Sequence, residues 1–336
     1  MTPAPPKPKG GRPRALGAKQ PRTEGPPPAT PDAGIPLGTT GLQHPSIGLG
    51  LWALGRWTRE DEARTKATLG RALERGVRWF DTAEVYGSGR SERVLGECLQ
   101  RTAPSVHPFV VTKVSWEHLR RDQVRAALIG SLQRLGRPSV DLYLVHAPDS
   151  HVPLKETMSS LEALWKEGKI AGIGVSNFSV EELEEAQRGL TEASILVNQV
   201  RFNLFDREDA VPIQEFCRSH GILIEAYSPL ARGLLTGRYL DGKKLPLEVR
   251  QMAHGLTEER WIPEVLERAR ALNAFVAETK ESMTSVALHW LRAQGAAPVC
   301  GASRPEQVDA TLDAWHHIPS ADVLQRADAI ARGERD

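Results

Sequence analysis

From residue 46 onward the chain keeps a regular alternation, and that rhythm constrains its fold more than any other feature. A short apolar run ends in a polar residue, and an amphipathic helical pattern follows. The runs are 46–52, 77–82, 109–114 (FVVTKV), 140–146 (VDLYLVH), 170–177 (IAGIGVSN), 195–200 (ILVNQV), 222–228 (ILIEAYS) and 297–303 (APVCGAS). Helical patterns cover 61–73, a stretch from Ser91, 122–135, 154–166, 180–187, 210–220, 263–278 and 282–292. Pro305 opens a last helix at a favoured first position. Near-continuous apolar runs are what parallel strands covered by helices require. The polar ends Asp81, Lys113, His146 and Asn177 are 32, 33 and 31 residues apart, the length of one strand–helix unit. Eight such units close on themselves, so the expected fold is α/β, a (β/α)8 TIM barrel. No GxGxxG is present, which argues against a Rossmann nucleotide site.

In such a barrel the reactive groups collect where the strands end. Asp81, Lys113, His146, Asn177, Gln199, Tyr227 and Ser303 all fall there, and closure brings them into one ring. The stretch 77–92, VRWFDTAEVYGSGRSE, is the most telling. Its strand stops at a carboxylate, Asp81, that a core would not carry without a partner. The phenol of Tyr86 follows, then Gly87 and Gly89 for a tight turn, with Ser91 or Ser88 as helix N-cap. Asp81, Tyr86, Lys113 and His146 make a proton-transfer set. An ammonium at Lys113 would lower the pKa of the phenol, Asp81 would hold the lysine, and His146 would orient a substrate oxygen. A phenol acid beside a polarised carbonyl still needs an electron source, which a nicotinamide supplies and no side chain does. Asn177 and Gln199 suit a carboxamide, and Tyr227 offers a ring to stack on. There is no GxSxG, no HExxH and no ligand cluster, so no metal is expected. The long gap between Tyr227 and the eighth strand predicts a substrate-covering excursion over 230–261.

Composition narrows the partners. A chain of 336 residues with net charge +1 gives no electrostatic case for nucleic acid, and no run is long enough to span a membrane. Cys98, Cys217 and Cys300 are scattered and odd in number, which suits a reducing, cytoplasmic compartment. Residues 1–34 differ from the rest. They are rich in Pro and Gly and carry six cations against two acids, so they read as a disordered basic tail ahead of a barrel domain at 35–336. A single GRPR at 11–14 has the form of a minor-groove arm, but one copy in such a tail reads as solvated chain.

These residues resemble the aldo-keto reductase superfamily, in the bacterial branch related to potassium-channel β subunits. The matching pieces are FDTAEVYGSGRSE (80–92), SLQRLGRPSVDLYLVH (131–146), GKIAGIGVSNF (168–178), NQVRFNLFDR (198–207), YSPLARGLLTGRY (227–239) and GASRPEQV (301–308). They run in family order and cover nearly all but the tail. The resemblance implies a barrel with a short N-terminal β-hairpin, and a catalytic tetrad of Asp81, Tyr86, Lys113 and His146 with Tyr86 as general acid. It implies NADPH held by Asp81, Ser176, Asn177, Gln199 and Tyr227 at the nicotinamide. Ser228, Pro229, Leu230, Gly233 and Arg238 would wrap the pyrophosphate. Gly301, Ser303, Arg304 and Gln307 would meet the adenosine phosphate, with Arg304 favouring NADPH over NADH. Trp52, with Tyr86 and His146, would line the substrate pocket. The implied activity is NADPH-dependent reduction of aldehydes or ketones to alcohols. The alternative is a nucleotide-binding regulatory subunit with slow reductase activity; the oligomeric state is left open. This chain departs from the family pattern at Ala310 and Thr311, where an acid and an Asn are usual, at Leu51 in place of Thr, and at Ala147 after the histidine.

Overall fold

The computed structural model of the protein describes residues 34–52, 59–103, 107–240 and 258–334. The expected disordered tail over 1–34 lies outside the described residues but for Gly34, as does the boundary drawn at its end. Part of the 230–261 excursion, residues 241–257, lies outside them as well.

The described chain opens with the expected hairpin, β1 (Ile35–Pro36) against β2 (Gln43–His44), antiparallel with Ile35 opposite His44. Eight parallel strands follow: β3 (Gly48–Gly50), β4 (Trp79–Asp81), β5 (Phe109–Val114), β6 (Val140–Val145), β7 (Ile170–Ser176), β8 (Ile195–Arg201), β9 (Leu223–Tyr227) and β10 (Ala296–Gly301). They pair in chain order, and β10 closes on β3. The helices between them are α1 (Arg59–Glu74), α2 (Arg90–Leu99), α3 (Arg121–Leu135), α4 (Leu154–Lys166), α5 (Val180–Arg188) and α6 (Ala210–Ser219). Then come α7 (Glu258–Thr279), α8 (Met283–Ala293), α9 (Pro305–His316) and α10 (Ala321–Ala331). None is long and apolar enough to cross a membrane among the described residues.

Local chemistry sets these lengths. Ser179 and Glu182 form a reciprocal capping box at the start of α5, and Gly136, at φ 63°, ends α3 in the left-handed region. The start of α2 differs from the sequence expectation. Gly89 takes the N-cap at φ 80°, while Ser91 lies inside the helix, its hydroxyl 2.7 Å from that of Thr82. Ser88 sits in the preceding turn at φ 54° and does not cap the helix. The helix expected to open at Pro263 starts earlier, at Glu258, and α10 extends beyond the helix expected to be last.

Strand side chains alternate between the helix layer and the barrel interior. The outer faces and the helices share one large apolar core, including Phe80, Val110, Tyr143 and Ile173. The interior is divided along its axis. Its lower part is a separate apolar cluster of Leu37, Trp79, Phe109, Leu142, Leu196 and Leu223, among others, and the hairpin closes it from below. Gly48 makes room for this packing, because a Cβ there would lie 2.3 Å from the Trp79 ring. Two residues further along the same strands the interior turns polar: Asp81 above Trp79, Lys113 above Val111, Glu225 above Leu223, Gln199 above Val197.

Candidate active site

The polar layer is built by strand register. Asp81 pairs opposite Val111, so Lys113 reaches across one step higher, and Ser176, Gln199 and Glu225 lie side by side on three successive strands. Lys113, fully buried, donates to both oxygens of Asp81 at 2.8 and 2.7 Å, to the Thr82 carbonyl at 2.9 Å and to the Tyr86 hydroxyl at 3.5 Å. The Tyr86 ring meets the His146 ring edge-on, with centroids 5.5 Å apart. All four residues of the expected set therefore converge.

Burial governs their electrostatics. It disfavours charge on Lys113, yet Asp81 and Tyr86 outweigh it and hold the ammonium protonated above its usual range. Burial pushes the Asp81 carboxyl up, against the pull of Lys113. Tyr86 corrects the sequence reading. Lys113 does favour its phenolate, but burial outweighs it, with Asp81 adding to burial, and the phenol lies above its ordinary value. His146 is pushed down to about 3, first by burial and then by Lys113, so its ring is neutral across the working range. Its Nδ1 is buried without a hydrogen-bond partner, which leaves Nε2 as the nitrogen that can serve a carbonyl oxygen.

Around this set the remaining residues fall into connected groups. Ser176 donates to the Gln199 backbone carbonyl at 2.9 Å. Asn177, at φ 62°, donates to the His146 carbonyl and the Ser176 hydroxyl, each at 3.0 Å, and accepts from the Tyr227 hydroxyl at 3.0 Å. Gln199 spends both amide hydrogens on carboxylates, Asp81 at 2.8 Å and Glu225 at 2.5 Å. After β9 the backbone turns sharply: Ser228, Ala231, Arg232 and Gly233 all have positive φ, and Pro229 and Leu230 lie within this turn. Gly233, at φ 96°, takes a backbone conformation that favours glycine and lies against the Arg238 guanidinium. Trp52, 62% exposed just past β3, stacks 5.9 Å from the Arg232 guanidinium and so joins this loop to the mouth.

Gly301 ends β10, whose Val299 pairs with Tyr227. Beyond it Ser303 donates twice to Gln307 Oε1, at 2.8 and 3.0 Å, and Arg304 is the N-cap residue of α9. Sequence reasoning missed three contributors. Trp116, 46% exposed, lies 5.9 Å from the His146 ring; its signal was an aromatic three residues beyond Lys113. Glu225, beside Gln199, and His44 are fully buried and bonded to each other at 2.9 Å. A charge inside the run ILIEAYS was legible; its partner, 181 residues away, was not.

With this geometry in hand, comparison with known proteins gives a consistent picture. The aldo/keto reductase family model matches residues 46–332. The chain is 31% identical over 288 residues to the aldo-keto reductase YhdN of Bacillus subtilis, covering 82% of this chain and 86% of that one. It is 29% identical to a putative voltage-gated potassium channel subunit beta of Schizosaccharomyces pombe, covering 88% and 92%. It is likewise 29% identical to an NADH-specific methylglyoxal reductase of Escherichia coli, covering 89% and 99%. Among solved structures, the thermostable aldo-keto reductase Tm1743, in complex with the inhibitor epalrestat, superposes with a TM-score of 0.73 at 30% identity, over 88% of this chain and 99% of that one. An aldo-keto reductase from Klebsiella pneumoniae in complex with NADPH superposes at 0.69 with 25% identity, over 87% and 92%.

Proposed function

The chain belongs to the aldo/keto reductase family, and from that premise we propose that it reduces aldehyde or ketone carbonyls to alcohols with NADPH, Tyr86 serving as the general acid. The observation that carries this reading is the Tyr86 hydroxyl 3.5 Å from the buried Lys113 ammonium, itself clamped by Asp81.

The residues present fit a nicotinamide dinucleotide. Gln199 has no amide hydrogen to spare, so its carbonyl oxygen is left to accept from a carboxamide, beside Ser176 and Asn177. Tyr227 supplies a ring face at the same rim. Ser228, Pro229, Leu230, Gly233 and Arg238 form the tight turn that suits a pyrophosphate. Gly301, Ser303, Gln307 and above all Arg304, at the start of α9, suit an adenosine phosphate and support NADPH over NADH. When bound, the nicotinamide supplies hydride. The chain's own part is orientation and one proton. His146, neutral, donates from Nε2 to the carbonyl oxygen, and Trp52 and Trp116 flank the entrance. Tyr86 delivers its hydroxyl proton to that oxygen as it gains charge, and Lys113 stabilises the phenolate left behind. A phenol raised by burial remains protonated at neutral pH, ready to donate.

Tyr86→Phe tests the assignment. NADPH oxidation driven by a small aldehyde should fall by about 10²–10⁴-fold while nucleotide binding persists; undiminished turnover would refute it. NADH bound as tightly as NADPH would refute the role given to Arg304. Similarity to a channel β subunit favours a second reading, a nucleotide-binding regulatory subunit with slow reductase activity. A panel of aldehydes that gives binding without turnover would select it. Three free cysteines support a reducing, cytoplasmic setting, which cell fractionation checks.

A further inference from the structure

Below the proposed nicotinamide contacts lies a pair of ionisable groups that the reaction just described does not use. Glu225 and His44 are both completely buried, in the middle of β9 and at the end of β2. His44 enters the barrel from the hairpin, edge-on to Trp79 at 4.2 Å and to Phe109 at 4.9 Å. Its Nδ1 lies 2.8 Å from the Pro45 carbonyl, which can only accept, so Nδ1 carries a hydrogen. Its Nε2 lies 2.9 Å from Glu225 Oε1. A carboxylate can only accept there, so this bond too must contain a proton, on one side or the other. The pair thus holds one proton more than a neutral imidazole facing a carboxylate, and its net charge is zero with the carboxyl end nearer the active site.

Glu225 Oε2 takes one hydrogen of Gln199, whose other hydrogen goes to Asp81 Oδ2. One connected line therefore runs from the hairpin through His44, Glu225, Gln199, Asp81 and Lys113 to Tyr86. Gln199 breaks it as a proton path, because an amide cannot relay a proton without changing tautomer. What the line can transmit is orientation and charge.

We propose that Glu225 and His44 are a positioning dyad that sets the electrostatic field under the nicotinamide. With the shared proton on His44, the carboxylate end of the pair, one hydrogen bond from Gln199, favours the cationic oxidised ring over the neutral reduced one. The proposal rests on the reading of Gln199 as a carboxamide contact. A purely architectural pair, holding the hairpin in the barrel, would affect stability but treat the two redox forms alike.

Binding separates the two cases without recourse to turnover. Dissociation constants of NADP+ and NADPH are measured by tryptophan fluorescence on the full chain and on Glu225→Gln and His44→Phe. Glu225→Gln removes the negative end, so NADP+ should weaken relative to NADPH by about 3-fold or more. His44→Phe removes the partner that keeps the fully buried Glu225 ionised, and an unpaired buried carboxylate takes up a proton, so the ratio should move the same way, again several-fold. Matched shifts of the ratio from two partners of one bond cannot come from general loosening, which would weaken the two nucleotides alike. A ratio that moves toward NADP+ in either variant, or stays unmoved in both, overturns the proposal. A wild-type chain that binds neither nucleotide refutes the functional reading and takes the dyad with it, whereas binding with an unmoved ratio refutes the dyad alone.

Discussion

The floor of the barrel interior is made by the strands and the mouth by the segments that follow their ends, and the two obey opposite rules. At the floor, Trp79, Phe109 and Leu37 pack with almost no exposure, and glycine at 48 is needed to let them meet. At the mouth, one ring nitrogen of His146 lacks a partner, and Asn177, Ser228, Ala231 and Arg232 hold positive φ without being glycine. Trp52 and Trp116 also face solvent there. Such backbone strain costs about 1–3 kcal/mol where it occurs and persists only because the surrounding structure enforces it. Between floor and mouth lies a polar layer that belongs to both, since Lys113 and Asp81 are as buried as the floor and as chemically committed as the mouth.

This division can be broken most forcefully in the shared layer. Lys113→Met strands Asp81 as a buried, unpaired carboxyl, and should cost about 3–5 kcal/mol of stability together with the reductase activity. Adding Asp81→Asn should recover most of that stability in urea titrations and none of the turnover. If the double variant stays as unstable as the single one, the pair is not what the layer depends on. Next comes the floor alone. Trp79→Ala should lower stability by roughly 3–5 kcal/mol with the affinity for NADPH changed far less. A comparable loss in both would show that floor and mouth are not separable.

The mouth gives no effect at neutral pH and shows its contribution only in acid. His146 titrates near 6.5 when unfolded and about 3 when folded, so the unfolded chain takes up a proton first. Stability from this group is intact above about pH 6.5 and declines as pH falls toward 3. His146→Phe should flatten the melting-temperature profile across that window, and an unchanged slope would contradict the neutral, buried ring.

The same contrast explains what could be read from residues alone. FVVTKV at 109–114 was legible to the residue because every position of β5 is buried. Asp81, Lys113 and His146 were legible because chemistry at successive strand ends has one meaning in a closed barrel. Ser91 misled: a serine before an apolar pattern looks like a cap, and only the fold reveals that its hydroxyl faces Thr82. The acidity of Tyr86 misled for a related reason. The sequence names the ammonium that lowers it but not the walls that raise it. Pro263 is a natural first residue of a helix, yet α7 already runs ahead of it. The cue for α10 was present in Ser320, whose hydroxyl accepts from the Val323 amide at 3.3 Å, and went unused.

The hairpin that brings His44 under Trp79 has a consequence for traffic. Leucines and aromatics stop the lower end of the interior like a cork, so the polar layer is approached from the side where the strands end and not through the floor. Should the dinucleotide proposed above lie deeper than its substrate, it would arrive first and depart last, and crowding on that side would slow both.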